Sequence, residues 1–257
     1  MNRREFLAVG AAGAAAFSPM AAGMDRADEG GREYFEWRRY HLHTGSRKNL
    51  VGDFLRDAGI AALNRIGVGP VGVFRAMYGP NQPTLHVLLV HKSLRSVEKA
   101  SELLLADDGF GGSEFANAGL SAPSYVRVES SLMAAFKGMP KLEAPEKKGR
   151  IFELRTYESH SIKAAKKKIE MFNEGGEIEI FRKTGLRPVF FGETLVGRQM
   201  PNLTYMLVFD DLADRDKKWR VFGADPAWRK LRRDPAYRET VSNITDIILR
   251  PAAYSQI

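Results

Sequence analysis

Two short patterns hold the most reactive groupings in the chain: Glu36-Trp37-Arg38-Arg39-Tyr40 and Glu153-Leu154-Arg155-Thr156-Tyr157. On a strand alternate side chains share a face. Each pattern therefore sets a carboxylate, a guanidinium and a phenol side by side. In a partly dry cavity such a trio binds a carboxylate, phenol or enol, and its members shift one another's pKa. The same trio can instead be an internal ion pair that pins strand register, because structural pairs also perturb pKa values. Phe152 and Leu154, on the opposite face, suit contact with covering helices. The polar face is then expected to look into a space between sheets.

The histidines add a second set of candidates. His86, Leu88 and Val90 alternate along one strand and align with Tyr205, Leu207 and Phe209 of another. If that face lines a cavity, His86 is the candidate general base or iron ligand, with Tyr157 as the other candidate acid or base. The candidate ligand-binding set is Glu36, Arg38, Tyr40, Glu153, Arg155, Tyr157 and Tyr205. His41 and His43 lie two apart, but no third ligand is evident, and metal sites need three or four. No metal is therefore expected. His91 and His160 sit at predicted element ends and are expected in solvent. No dinucleotide fingerprint, Walker loop or nucleophile elbow is present.

The elements that must position these groups come in duplicate. Phe35-Glu36-Trp37-Arg38-Arg39-Tyr40 is echoed by Phe152-Glu153-Leu154-Arg155-Thr156-Tyr157 at an offset of 117. Gly67-Val68-Gly69-Pro70-Val71 is echoed by Gly185-Leu186-Arg187-Pro188-Val189 at 118, and Leu85–Val90 by Thr204–Phe209 at 119. Ordered echoes at a nearly constant offset mark a duplicated domain. In the second copy, residues 151–157, 188–196, 203–209 and 244–249 read as strands, and residues 161–183 and 212–222 as helices. Gly175-Gly176 should weaken the first of these helices, since glycine costs about 1 kcal/mol against alanine in a helix interior. Asp211 is a candidate N-cap, as is Asp225 before Pro226. The first copy repeats the order, with strands near 34–42, 71–78, 84–91 and 124–132 and helices near 46–66 and 94–106. Strand, helix, strand, strand, helix, strand is the split βαβ or ferredoxin-like arrangement. Two such sheets can cover each other, and a closed or nearly closed barrel is the simplest solution.

The domain plan is thus a segment 1–23, a polar tether 24–32, a first repeat 33–136, a linker 137–148 rich in Pro and Lys, and a second repeat 149–257. Arg3-Arg4-Glu5-Phe6-Leu7, a short apolar run and Ala21-Ala22-Gly23 read as a twin-arginine (Tat) export signal with a cleavage point. Arg3 and Arg4 would engage the export machinery, giving a periplasmic or secreted protein with no stable membrane anchor after cleavage. The absence of cysteine excludes disulfides and thiolate metal sites. The formal charge of +8 is accompanied by no nucleic-acid-binding pattern, so a nucleic-acid partner is not expected. The run Lys163 to Lys168 reads as the wet face of a helix, and Trp219, Trp228 and Tyr237 as core or interface anchors.

Glu153-Leu154-Arg155-Thr156-Tyr157, Phe209-Asp210-Asp211-Leu212-Ala213-Asp214-Arg215, Trp219 with Phe222, and Asp225-Pro226-Ala227-Trp228 together resemble the NIPSNAP domain. The resemblance covers essentially all of the second repeat. The first repeat matches at Glu36, Arg38, Tyr40 and the Gly-Pro segment, then departs: His91-Lys92-Ser93-Leu94-Arg95 replaces the acidic turn, and no Asp-Pro-x-Trp follows. The resemblance implies an α+β fold in which two ferredoxin-like repeats pair as an intramolecular dimeric α/β barrel. The wider superfamily includes cofactor-independent monooxygenases, lactone isomerases and haem enzymes, so no single reaction follows from the fold. The expectation is an exported tandem protein that binds a small anionic or aromatic molecule between its two sheets, without a cofactor. Its rivals are a cofactor-independent oxygenase or isomerase, a haem enzyme, and a non-catalytic interaction module. Assembly into a homo-oligomer is compatible with each.

Overall fold

Alternating aromatic and β-branched residues set eight strands: β1 Tyr34–His41, β2 Val71–Ala76, β3 Thr84–His91, β4 Arg127–Ala135, β5 Ile151–Glu158, β6 Arg187–Val196, β7 Asn202–Phe209 and β8 Asn243–Pro251. The computed structural model describes residues 31–147 and 149–257. The twin-arginine segment and residues 24–30 of the tether lie outside the described residues.

The helices fall where expected, with one short addition after the second helical segment of the first repeat. The first repeat carries α1 Leu50–Phe54 and α2 Ile60–Arg65, joined by a π turn, then α3 Leu94–Ala106 and α4 Asp108–Gly111. The second carries α5 Ile162–Asn173, α6 Glu177–Lys183, α7 Leu212–Ala224 and α8 Pro226–Leu231. Gly175-Gly176 breaks the long helical segment into α5 and α6, and Gly176 takes φ +83°. The caps supply local start signals: Ser93 accepts from the Ser96 amide at 3.1 Å, Asp211 from Asp214 at 2.8 Å, and Asp225 from Ala227 at 2.8 Å. Gly67 and Gly185 close the helical segments at matching places, with φ of +79° and +85°, the left-handed geometry that glycine adopts without a Cβ clash.

The strands run β1-β3-β2-β8-β5-β7-β6-β4 around a closed antiparallel barrel. Each half contributes four neighbouring strands in equivalent order, and the halves join at two seams. One seam pairs Phe74 with Pro251 through Ala76 with Leu249; the other pairs Leu132 with Val196 through Ala135 with Gly192. Gly31–Ile257 forms one compact unit.

The barrel interior is the main correction to the sequence reading. It is filled from Phe35, Trp37, Phe74, Leu88, Val90, Phe152, Leu154, Phe190, Met206, Val208 and Leu249, joined by Ile257. The Phe35 and Phe190 rings lie 4.8 Å apart, and those of Phe74 and Phe152 5.0 Å apart. Phe152 and Leu154 therefore face the opposite sheet rather than the helices. The trios Glu36-Arg38-Tyr40 and Glu153-Arg155-Tyr157 point outward, each under the helices of its own half. Two sheets meeting face to face must bury the face that needs no polar partners. The polar faces lie beneath the helices, and in the second half α7 supplies Arg215 and Trp219 as donors to Glu153. Among the described residues no chamber is shared by the two trios.

Two smaller expectations also change. His91 is fully buried, with Nδ1 3.2 Å from Ser96 Oγ, because the end of β3 tucks under the start of α3. Lys168 is buried rather than wet: its Nζ donates to Glu177 at 2.7 Å and lies 4.6 Å from the Phe172 ring centre. His160 is exposed, as expected.

Candidate functional site

The first trio lies at the floor of a cavity of about 350 Å³ between the outer face of the first repeat's strands and its helices. Glu36 is only 8% exposed. Its carboxylate accepts from Arg38 Nε at 2.7 Å, Arg38 Nη2 at 2.9 Å and Ser130 Oγ at 2.7 Å, with His91 Nε2 3.4 Å away. Burial pushes the carboxyl up, but the hydrogen bonds from His91, Arg38 and Ser130 and the Arg38 charge outweigh it, bringing the pKa down to about 2. Burial alone would lower Arg38; Tyr40 and Glu36 beside it hold it above its ordinary value. The trio is therefore a satisfied ion pair next to a phenol.

Aromatic side chains from the helical segments and the approach to β4 form the walls. Phe54 stacks on Phe115 with centroids 4.2 Å apart and planes 2° apart, and Phe110 meets Phe54 edge-on at 5.5 Å. Tyr125 meets Tyr40 edge-on at 5.4 Å. Leu55, Leu104 and Val128 complete much of the apolar lining, and Ser101 stands at the exposed opening.

The second trio has the opposite fate. Glu153 is completely buried and accepts from Arg155 Nη1 at 2.9 Å, Arg215 Nη2 at 2.6 Å and Trp219 Nε1 at 2.7 Å. Arg155 lies over the Trp219 ring at 4.8 Å. The Tyr157 and Tyr205 hydroxyls hydrogen-bond at 2.8 Å, and Phe172, Phe181 and Phe191 surround Tyr205 at 5.7, 5.8 and 5.3 Å. Burial pushes both phenols up, Tyr205 well above its ordinary value, so Tyr157 stays protonated at neutral pH. These residues knit a core.

The difference traces to several positions: the pairing register sets Val87 and Val73 where the second repeat has Tyr205 and Phe191, and one helix position differs as well. Counted from the N-caps Ser93 and Asp211, Ser101 in α3 and Trp219 in α7 hold the same eighth place. Trp219 reaches the carboxylate and, with Tyr205 and Phe191, fills the volume; Ser101 and the smaller Val87 leave it open.

His86 belongs elsewhere. The pairings of Arg39 with His86 and of Thr156 with Thr204 set the true equivalence, so His86 corresponds to Thr204, not to Tyr205. A one-residue change in register exchanges the faces of a strand. His86 consequently faces the barrel interior while Tyr205 faces the helices, and neither trio meets it. The polar end of the barrel that holds it also contains Arg39 and Arg198, which the sequence reading passed over, and His41, which it weighed only beside His43 as a metal ligand. Their signal was the alternation Trp37, Arg39, His41 on the same strand as the first trio. His43 is apart from His41 in function, with Nε2 3.1 Å from the Pro123 carbonyl. Among the described residues no group of three His, Cys, Asp or Glu side chains is arranged to hold a metal ion. His86 opens onto a pocket of about 380 Å³, with the Trp37 ring centred 5.6 Å from its own.

The fold defines the class: a closed α/β barrel shared with solved structures. A "putative monooxygenase" from Lactobacillus acidophilus NCFM aligns over 86% of this chain and 94% of its own, with TM-score 0.53 and 10% identity. An anthrone oxidase-like protein aligns over 86% and 92%, with TM-score 0.52 and 9% identity. At such identities the likeness concerns the fold. Residues 152–256 match the NIPSNAP family model, so the second repeat carries a NIPSNAP domain. A NIPSNAP-like domain protein from Burkholderia xenovorans shows 23% identity over 42% of this chain and 90% of its own, with TM-score 0.39. No curated protein sequence matches the chain.

Proposed function

We propose that the protein binds a small, neutral aromatic molecule bearing one hydrogen-bonding oxygen, in the chamber between the sheet and the helices of the first repeat. One observation carries this reading: the same trio is plugged by Trp219 in the second repeat and left open beneath Ser101 in the first. The lining is largely aromatic and aliphatic, while Arg38 is already neutralised by Glu36. That combination favours an uncharged ring over an anion. Tyr40 and Ser101 are the polar groups beside the space that suit a phenolic or carbonyl oxygen.

Binding without turnover is the reading the chamber supports. A general base must work near ambient pH, whereas Glu36 is held at about 2 and has its oxygens occupied. The two halves are read as ferredoxin-like units, supported by their equivalent strand order, and export is read from Arg3 and Arg4. The test is a titration with 1-naphthol followed by its fluorescence. Saturable binding is expected, and Tyr40→Phe should weaken it roughly fivefold, the loss of about 1 kcal/mol for one hydrogen bond. Absence of saturation, or equal binding by Ser101→Trp, overturns the proposal.

A further inference from the structure

The barrel is dry at one end and polar at the other. Toward the polar end, the inward positions pass from Phe35 and Trp37 to Arg39 and His41 on β1, from Val90 and Leu88 to His86 on β3, and from Met133 to Ser131 and Glu129 on β4. A pocket of about 380 Å³ opens there, continuous in lining with a cleft that descends to Trp37 and Leu154.

Positive charge exceeds negative charge at this mouth. Asp246 is the carboxylate in the lining, and Glu129, on β4 beside that lining, is shared by three guanidiniums: Arg39 at 3.2 Å, Arg198 at 3.1 Å and Arg127 at 3.8 Å. His41 Nε2 lies 3.4 Å from the same carboxylate. Glu158, further round the rim, is occupied by the Gln199 and Asn243 amides at 2.8 and 2.7 Å. Asp246 is turned toward Arg155 and Arg215 at 3.6 and 3.5 Å. Burial and the charge of Arg198 lower the pKa of Arg39, as expected for like charges held together. His86, 4% exposed, has a buried Nδ1 with no hydrogen-bond partner. Buried polar atoms without partners are uncommon and call for an explanation.

We propose that this mouth is a second binding site, distinct from the helix-covered chamber, that takes a small organic carboxylate. The carboxylate bridges Arg39 and Arg198, offsetting part of the excess positive charge around Glu129. The apolar body lies over Trp37, Ala76 and Ile247. Planar guanidiniums match carboxylate geometry, and the apolar walls select an organic anion over an inorganic one. His86 lines the same space.

The test uses the full chain with isotope-labelled tryptophan, whose three indole N–H resonances report on separate places. Phenylacetate should move the Trp37 resonance saturably and leave Trp219 and Trp228 in place, while neutral phenylacetamide leaves all three in place. Arg198 is 55% exposed in its side chain, so Arg198→Gln should fold normally. It should weaken phenylacetate binding roughly tenfold, the loss of one charge-assisted hydrogen bond; Arg39→Gln should do the same. The Ser101→Trp variant, which closes the other chamber, should bind phenylacetate unchanged. Equal binding of acid and amide, a stationary Trp37 resonance, undiminished affinity in both arginine variants, or loss of binding in Ser101→Trp would each overturn the proposal.

Discussion

Replacing Ser101 with tryptophan should close the first repeat's chamber with the side chain that the second repeat carries at this place. In α7 the side chain at this place is Trp219, half-buried, with its indole N–H on Glu153 at 2.7 Å. An indole buries about 150–250 Å² when fully enclosed, so half-burial over the chamber removes roughly 100 Å² from water. At about 25 cal/mol per Å² this contributes roughly 2.5 kcal/mol, and loss of rotamer freedom costs about 1 kcal/mol. The new N–H adds little, because Glu36 already accepts three hydrogen bonds. The net gain is about 1.5 kcal/mol, which for a domain of this size raises Tm by roughly 3–6 °C. Thermal and urea unfolding would measure it beside the 1-naphthol titration, where binding should vanish. A variant that is no more stable and still binds would show that Ser101 does not overlie the chamber, and the equivalence of α3 and α7 would be wrong.

The reverse change, Trp219→Ala, should destabilise the protein by about 3 kcal/mol, the lower range for a large aromatic truncation, and should leave Glu153 with one fewer donor; urea unfolding checks both direction and size. Acid unfolding should expose Glu36: its folded pKa of about 2 lies below the ordinary 4.5, so its stabilisation is full above pH 4.5 and disappears as pH falls toward 2. The shift is worth about 3 kcal/mol, and Glu36→Gln should flatten the wild-type slope in that window. His86 works in a higher window. Burial, with the charges of Arg39 and His41, brings it to about 4 from 6.5, so the unfolded chain gains a proton first and stability falls from pH 6.5 toward 4; a titration of its ring resonance at pH 5 should find it neutral. Substituting Arg3→Lys together with Arg4→Lys should retain the protein in the cytoplasm on cell fractionation, whereas unchanged export would refute the twin-arginine reading.

Signals read from neighbours in the chain proved the most legible. Gly175-Gly176 breaks a helix and Asp225 with Pro226 starts one, because capping and glycine flexibility act over a single turn. The closed barrel followed from the duplication, since two half-covered sheets have a simple mutual solution. Inside and outside did not follow. Alternation along β1 separates Phe35-Trp37-Arg39 from Glu36-Arg38-Tyr40 with certainty, yet nothing local says which set meets the other sheet. That choice depends on the whole interior, including Phe74, Phe190 and Leu249 from distant strands. His86 and Tyr205 were set on equivalent faces by a one-residue error in aligning the third strands, which only the pairing register exposes. Lys168 was likewise read from its own helix, whereas its burial is decided by Glu177 beyond the glycine break.

The two seams carry an evolutionary consequence. In an assembly of identical subunits, any substitution is imposed on every copy at once, and a residue that improves packing in one must suit the other. Fusing both halves into one polypeptide removes that constraint. Trp219 and Ser101 are what such freedom permits: one half is packed solid against the shared cylinder, and the other keeps an open space, the one in which we propose that a guest binds.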